Sequence, residues 1–97
     1  MYITIPITSV KTANSDIEIP GVRAIELTKA YKFTGSDGSI AAAYTELTVD
    51  AKGDGDASAA GHIRLQADGT KFRVGDALDA GDSIILYYTG EGEAIRA

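Results

Sequence analysis

The sequence predicts an all-β protein: a small single-domain β-sandwich or barrel of six to eight short antiparallel strands spanning residues 1–97. Three observations carry this. Apolar and polar residues alternate strictly at the start, with Ile3, Ile5 and Ile7 on one side and Thr4, Pro6 and Thr8 on the other. Two alternating runs flank an Asp68-Gly69 pair, and a continuous apolar run (SIILYYT) occupies residues 83–89. A chain of 97 residues has material for one core and not two.

Pro6 cannot donate to a ladder, so the first strand belongs at a sheet edge. The polar stretch 11–16 (KTANSD) reads as a loop. Ile17-Glu18-Ile19 is a short strand stopped by the Pro20-Gly21 turn. Between residues 22 and 33 the odd positions Ile25, Leu27, Tyr31 and Phe33 predict one apolar face, with Lys29 as the exception. Ala24, Leu27, Ala30 and Tyr31 offer a competing helical spacing, which the β-branched and aromatic content opposes.

Residues 34–39 (TGSDGS) read as a tight turn through Gly35 and Gly38. Ile40, Ala43, Tyr44 and Leu47 have helical spacing, so one short helix near 40–47 competes with a strand over 44–49; the alternation of Thr45, Leu47 and Val49 favours the strand. Residues 50–61 (DAKGDGDASAAG) are small and polar, and predict a long flexible loop.

Ile63 and Leu65, then Phe72 and Val74, line one face of a hairpin turned by Asp68-Gly69. Leu78 should plug the turn at residues 75–82. The run 83–89, apolar on both sides, predicts the central and most buried strand. Residues 90–93 should break it, before a final short strand at 94–96. The run LDAGDSIILYY from Leu78 to Tyr88 is similar to the L-x-x-G-D-x-I/V-x-L runs of many jelly-roll and sandwich proteins. That resemblance implies a turn into a strand and no particular family.

Fourteen acidic residues against nine basic give a net charge of −5, which repels a phosphate backbone and an anionic membrane surface alike. No nucleic-acid or membrane partner is expected. The N-terminus has no basic region followed by a long apolar run, so no cleaved signal is expected, nor any membrane-spanning helix. With no cysteine, neither disulfides nor thiolate metal clusters hold the fold. A soluble cytoplasmic or virion-associated protein is the expectation, since this Ala/Gly/Thr/Asp-rich composition resembles that of small phage virion proteins.

Asp50, Asp54 and Asp56 are the candidate metal ligands, because calcium prefers hard oxygens on a bendable backbone. Against an EF-hand-type loop, Lys52 takes the third position and Gly61 the twelfth, so a solvated acidic loop is the better reading and no cofactor is expected. Asp76, Asp79 and Asp82 fit turn chemistry. His62, the single histidine, lies on a predicted strand face with Arg64 and Gln66; no serine stands in a nucleophile-elbow setting, and the histidine set of a cupin metal site is missing. Adjacent Tyr87 and Tyr88 must point to opposite faces. One can join the core while the other meets Tyr2, Tyr31 and Tyr44 in an interface or a sugar-stacking platform.

These features predict a non-catalytic structural or assembly module that associates with copies of itself or docks on a larger scaffold. Tyr2, Ile3, Ile5 and Ile7 are the candidate interface residues. A carbohydrate- or calcium-binding β module is the alternative.

Overall fold

A computed structural model describes residues 1–34 and 43–92, with seven strands and no helix among them. The strands are β1 (Tyr2–Pro6), β2 (Ile17–Glu18), β3 (Val22–Thr34), β4 (Ala43–Val49), β5 (His62–Leu65), β6 (Lys71–Val74) and β7 (Ser83–Gly92). They form one sheet in the order β1-β7-β3-β4-β5-β6-β2, curled into a half-barrel. The inner faces of the curl meet in a single core whose largest fully buried side chains include Phe72, Ile63, Leu65, Leu78, Ile84 and Leu86.

The all-β expectation holds, and several details are corrected. Not every pairing is antiparallel: β4 and β5 run parallel, with Thr48 opposite His62 and Val49 opposite Ile63. A parallel neighbour requires a crossover, and residues 50–61 supply it without a helix. Nor are all strands short, since β3 has 13 residues and β7 has 10. Residues 43–47 of the competing helix are extended, with Leu47 buried between exposed Glu46 and Thr48; residues 40–42 lie outside the described residues. So do most of the expected 34–39 turn and the final strand at 94–96. Gly90 does not end β7, which runs on to Gly92.

In β3 the expected face is wrong, because two bulges interrupt its pairing with β7, between Ala24 and Glu26 and between Leu27 and Lys29. Each bulge inserts a residue, and period two is lost across it. Val22, Ala24, Leu27 and Ala30 therefore point inward, whereas Ile25 is 55% exposed and Tyr31 and Phe33 fall on the outer side. The three-residue spacing that imitated a helix belongs to a bulged strand.

The Asp68-Gly69 hairpin is as expected, with Ile63 opposite Val74 and Leu65 opposite Phe72. Its tip is tied to the β2–β3 segment: Ile19 N–H donates to the Thr70 carbonyl and Ala24 N–H to the Gly69 carbonyl, both at 2.8 Å. Gly69 has φ +76°, and a Cβ there would strike the Ala24 carbonyl, so both backbone and space require glycine.

Residues 50–61 form an ordered crossover rather than a loose loop. Gly53 N–H donates to the Leu65 carbonyl (3.0 Å), Gly55 N–H to Gln66 Oε1 (3.0 Å) and Ala57 N–H to Asn14 Oδ1 (2.9 Å), and the Ala57 side chain is buried. These anchors come from residues distant in sequence, which local composition does not display.

Candidate functional site

β7 lies between β1 and β3, as a central strand should, but among the described residues only one of its faces is covered. Ile84, Leu86 and Tyr88 enter the core, while Tyr87 is 41% exposed on the outside and Ile85 is half-buried there. Cross-strand register sets Tyr2 opposite Tyr87 and Thr4 opposite Ile85 on one side, and Tyr31 opposite Ile85 on the other. From β4, Tyr44 stands opposite Phe33 and Glu46 opposite Tyr31. Four strands thus present Tyr2, Tyr31, Tyr44, Tyr87 and Ile85 around a shallow open depression of about 590 Å³.

The rings pack on one another. Tyr2 and Tyr87 stack with centroids 5.5 Å apart, Tyr31 meets Tyr87 edge-on at 6.0 Å, and Phe33 tilts against Tyr44 at 4.9 Å. Tyr2 and Tyr44 remain 64% and 65% exposed. Lys29 and Glu46, paired at 3.5 Å, place one charge of each sign on this wall, so the pair adds no net charge to it.

Of the four candidate interface residues, Tyr2 alone is a large exposed side chain, stacked on Tyr87. Ile5 and Ile7 are buried in the core and Ile3 packs against it. β1 is the alternating strand that its sequence predicts, and its isoleucines face inward. Sequence did name the tyrosines, but their meeting depends on β1, β3, β4 and β7 lying side by side, which the alternation within each strand does not specify.

Asp50, Asp54 and Asp56 do not converge. Asp50 accepts from Ser58 N–H (2.7 Å) and Ser58 Oγ (3.0 Å) and lies 2.8 Å from His62 Nδ1; Asp54 accepts from Ala67 N–H (3.2 Å); Asp56 takes Arg73 Nη1 (2.8 Å). Among the described residues no group of three or more His, Cys, Asp or Glu side chains could hold a metal ion. Burial pushes the Asp50 carboxyl up, but the hydrogen bonds from His62 and Ser58 outweigh it and hold the group below its ordinary value. Asp82 accepts from Asp79 N–H, as a turn residue does, whereas Asp76 reaches out of its own turn and accepts from Gly61 N–H at the end of the crossover.

The Asp50–Ser58–His62 group, unforeseen from sequence, has the residue types of a nucleophilic relay and the wrong geometry. A relay sets the carboxylate on one ring nitrogen and the hydroxyl on the other. Here both address Nδ1, with Ser58 Oγ at 3.1 Å, and the serine donates its proton to Asp50. The predicted wet face is also corrected: Gln66 is 3% exposed, and its amide is bonded to Gly55 and Arg64 backbone.

The fold and its surface define a small β half-barrel with one aromatic wall left open. Comparison with known proteins adds no family: no family model, no curated protein and no solved structure matches the chain.

Proposed function

We propose that this chain is a non-catalytic assembly subunit that works by associating with copies of itself through the β1–β7 end of its sheet. The observation that carries the reading is the uncovered outer wall of Tyr2, Tyr31, Tyr44, Tyr87 and Ile85. Tyrosines bring large, rigid, amphipathic area to an interface, and contiguous apolar patches on small domains mark contact surfaces. The neutral Lys29–Glu46 pair supports it further, because a protein of net charge −5 associates most readily where its charges cancel.

A carbohydrate-binding module would draw on the same tyrosines. Sugar stacking needs ring faces open in a common plane, whereas Tyr31 and Tyr87 cross at 77° and Tyr2 covers Tyr87. Those angles favour the protein interface.

Light scattering over a broad concentration range tests the reading. The expected mass rises to a multiple of the single chain, and Tyr87→Ser shifts that rise to higher concentration. A mass that stays at one chain at the highest soluble concentration overturns it.

A further inference from the structure

Three Asp-Gly pairs stand in the sequence, at 37–38, 54–55 and 68–69, and the last two fall within the described residues. Asp-Gly is the dipeptide that isomerises most readily, because glycine puts no side chain between its own nitrogen and the neighbouring carboxyl. The glycine nitrogen attacks Cγ of the aspartate, its amide proton and one carboxyl oxygen leave as water, and a five-membered succinimide closes. Water then opens the ring at either carbonyl. One opening returns aspartate; the other leaves isoaspartate, with the main chain rerouted through Cβ. Nothing is oxidised or reduced, and water is the only co-reactant.

Asp54 and Asp68 are both exposed, so solvent reaches both carboxyls and burial protects neither. What the fold holds are the two glycine nitrogens, and one residue holds both. Gly69 N–H donates to the Gln66 main-chain carbonyl at 3.0 Å, and Gly55 N–H donates to the Gln66 side-chain Oε1 at 3.0 Å. The carboxylates are turned to other donors: Asp68 Oδ1 accepts from Thr70 N–H (3.0 Å) and Asp54 Oδ1 from Ala67 N–H (3.2 Å). Before either ring can close, the glycine N–H has to leave its acceptor and the carboxyl its donor. Gln66 is itself buried, and its Nε2 bonds to the Gly55 and Arg64 carbonyls, at 2.9 and 3.2 Å, fix which end of the amide faces Gly55 N–H.

The two locks differ in kind. At Asp68 the acceptor is backbone within the hairpin turn, and the Thr70 amide also holds the carboxyl below its ordinary value, in the ionised form that a nucleophile attacks least. At Asp54 the acceptor is a side chain eleven positions beyond Gly55, and a single substitution removes it. From these observations we infer that Asp54–Gly55 is a latent isomerisation site, which the Gln66 side chain keeps closed. Its opening would not be silent. A succinimide nitrogen carries no hydrogen, so Gln66 Oε1 would lose its donor. Isoaspartate would add a main-chain atom between Gly53 and Gly55, the two points where the crossover is tied to Leu65 and Gln66.

Trypsin separates the three pairs onto peptides 33–52, 53–64 and 65–71, so each can be followed alone. The unaltered protein, folded and in concentrated urea, and folded Gln66→Leu are aged at about pH 5, above the ordinary carboxylate value. Peptide retention and fragmentation then assign isoaspartate to residue 54 or 68. In urea both sites should isomerise at similar rates, and in the folded unaltered protein both should be slow. Gln66→Leu should speed residue 54 on the order of tenfold, the factor that a hydrogen bond of ordinary net strength supplies, and leave residue 68 unchanged. Residue 54 isomerising as fast in the folded unaltered protein as in urea overturns the inference, as does an unchanged rate in folded Gln66→Leu. Should Gln66→Leu speed both sites alike, the whole hairpin has loosened, and Gln66→Met, a straight chain also without Oε1, decides. Residue 54 alone must then respond; both responding again assigns the protection to the fold at large and removes the role of the Gln66 side chain.

Discussion

The side-chain amide of Gln66 pairs with the backbone of Gly55 in both directions: Gly55 N–H donates to Oε1 at 3.0 Å, and Nε2 donates to the Gly55 carbonyl at 2.9 Å. Gln66 thereby acts as a short piece of strand and pins the crossover that makes the β4–β5 pairing parallel. Replacing it with leucine keeps the volume and strands both Gly55 groups. The expected cost is about 1–3 kcal/mol in denaturant unfolding. Hydrogen exchange at Gly55 should rise ahead of exchange in β7; unchanged protection there would show that the crossover is held elsewhere.

Three glycines should respond differently to alanine. Gly69→Ala meets both a left-handed backbone, costing about 1–2 kcal/mol, and the Ala24 carbonyl. Gly90→Ala has no φ penalty, but its Cβ would lie 2.5 Å from the Arg23 carbonyl oxygen and 2.9 Å from the Ala24 Cα, inside the bulged stretch of β3. Gly53→Ala meets neither obstacle. Thermal melting should rank Gly53→Ala nearest to the unaltered protein, with both others clearly below it.

Phe72 is fully buried where β6 turns its inner face toward the rest of the curl. Phe72→Ala should remove about 3–5 kcal/mol. Small domains hold roughly 5–15 kcal/mol in all, so much of that reserve goes with one side chain. Denaturant titration reads the loss directly. A value below about 1 kcal/mol would mean that the core recloses around the gap.

Acid should weaken the fold. The Arg73 hydrogen bond holds Asp16 below the ordinary carboxylate range, and the Thr70 backbone amide does the same for Asp68. For Asp50, burial acts upward and is outweighed by hydrogen bonds from His62 and Ser58. With folded values depressed, the unfolded chain takes up protons first as pH falls. The stabilisation is complete above the unfolded value of about 3.9 and disappears as pH drops through the lower folded values. Asp50→Asn should be less stable at neutral pH and lose less on acidification; parallel acid curves for the two proteins would remove Asp50 from the account.

The exposed Lys29–Glu46 pair should matter little to folding. Lys29→Ala is expected to change stability by less than about 1 kcal/mol, since both side chains are largely solvated. Self-association is the sensitive readout, because the substitution leaves Glu46 unpaired beside the tyrosines.

Elements stated by local pattern were legible from sequence. Ile3, Ile5 and Ile7 gave a half-buried strand, Pro6 its edge position, and Asp68-Gly69 its hairpin. Elements that depend on distant partners were not. Ile25 and Thr28 are the extra residues of two bulges, whose cause is β7, some sixty residues later. The crossover looked loose because its anchors, Asn14 and Gln66, lie outside it. The polarity of Gln66 predicts a wet side chain, because its partner, the Gly55 backbone, is not visible in the local pattern. The tyrosines were named individually, and register alone brings four strands' worth of them to one wall.

β7 fills the slot between β1 and β3, so the second position of the sheet is occupied by the last strand described. Until it emerges from the ribosome, β1 lacks its one described strand neighbour and β3 has an empty side from Val22 to Phe33. Contacts joining residues this far apart close slowly, on the order of milliseconds to seconds. During synthesis the nascent chain would therefore expose Ile3 and Ile5 beside an unfilled β3 edge, and a chaperone meeting this protein would find its target there before the closing strand arrives.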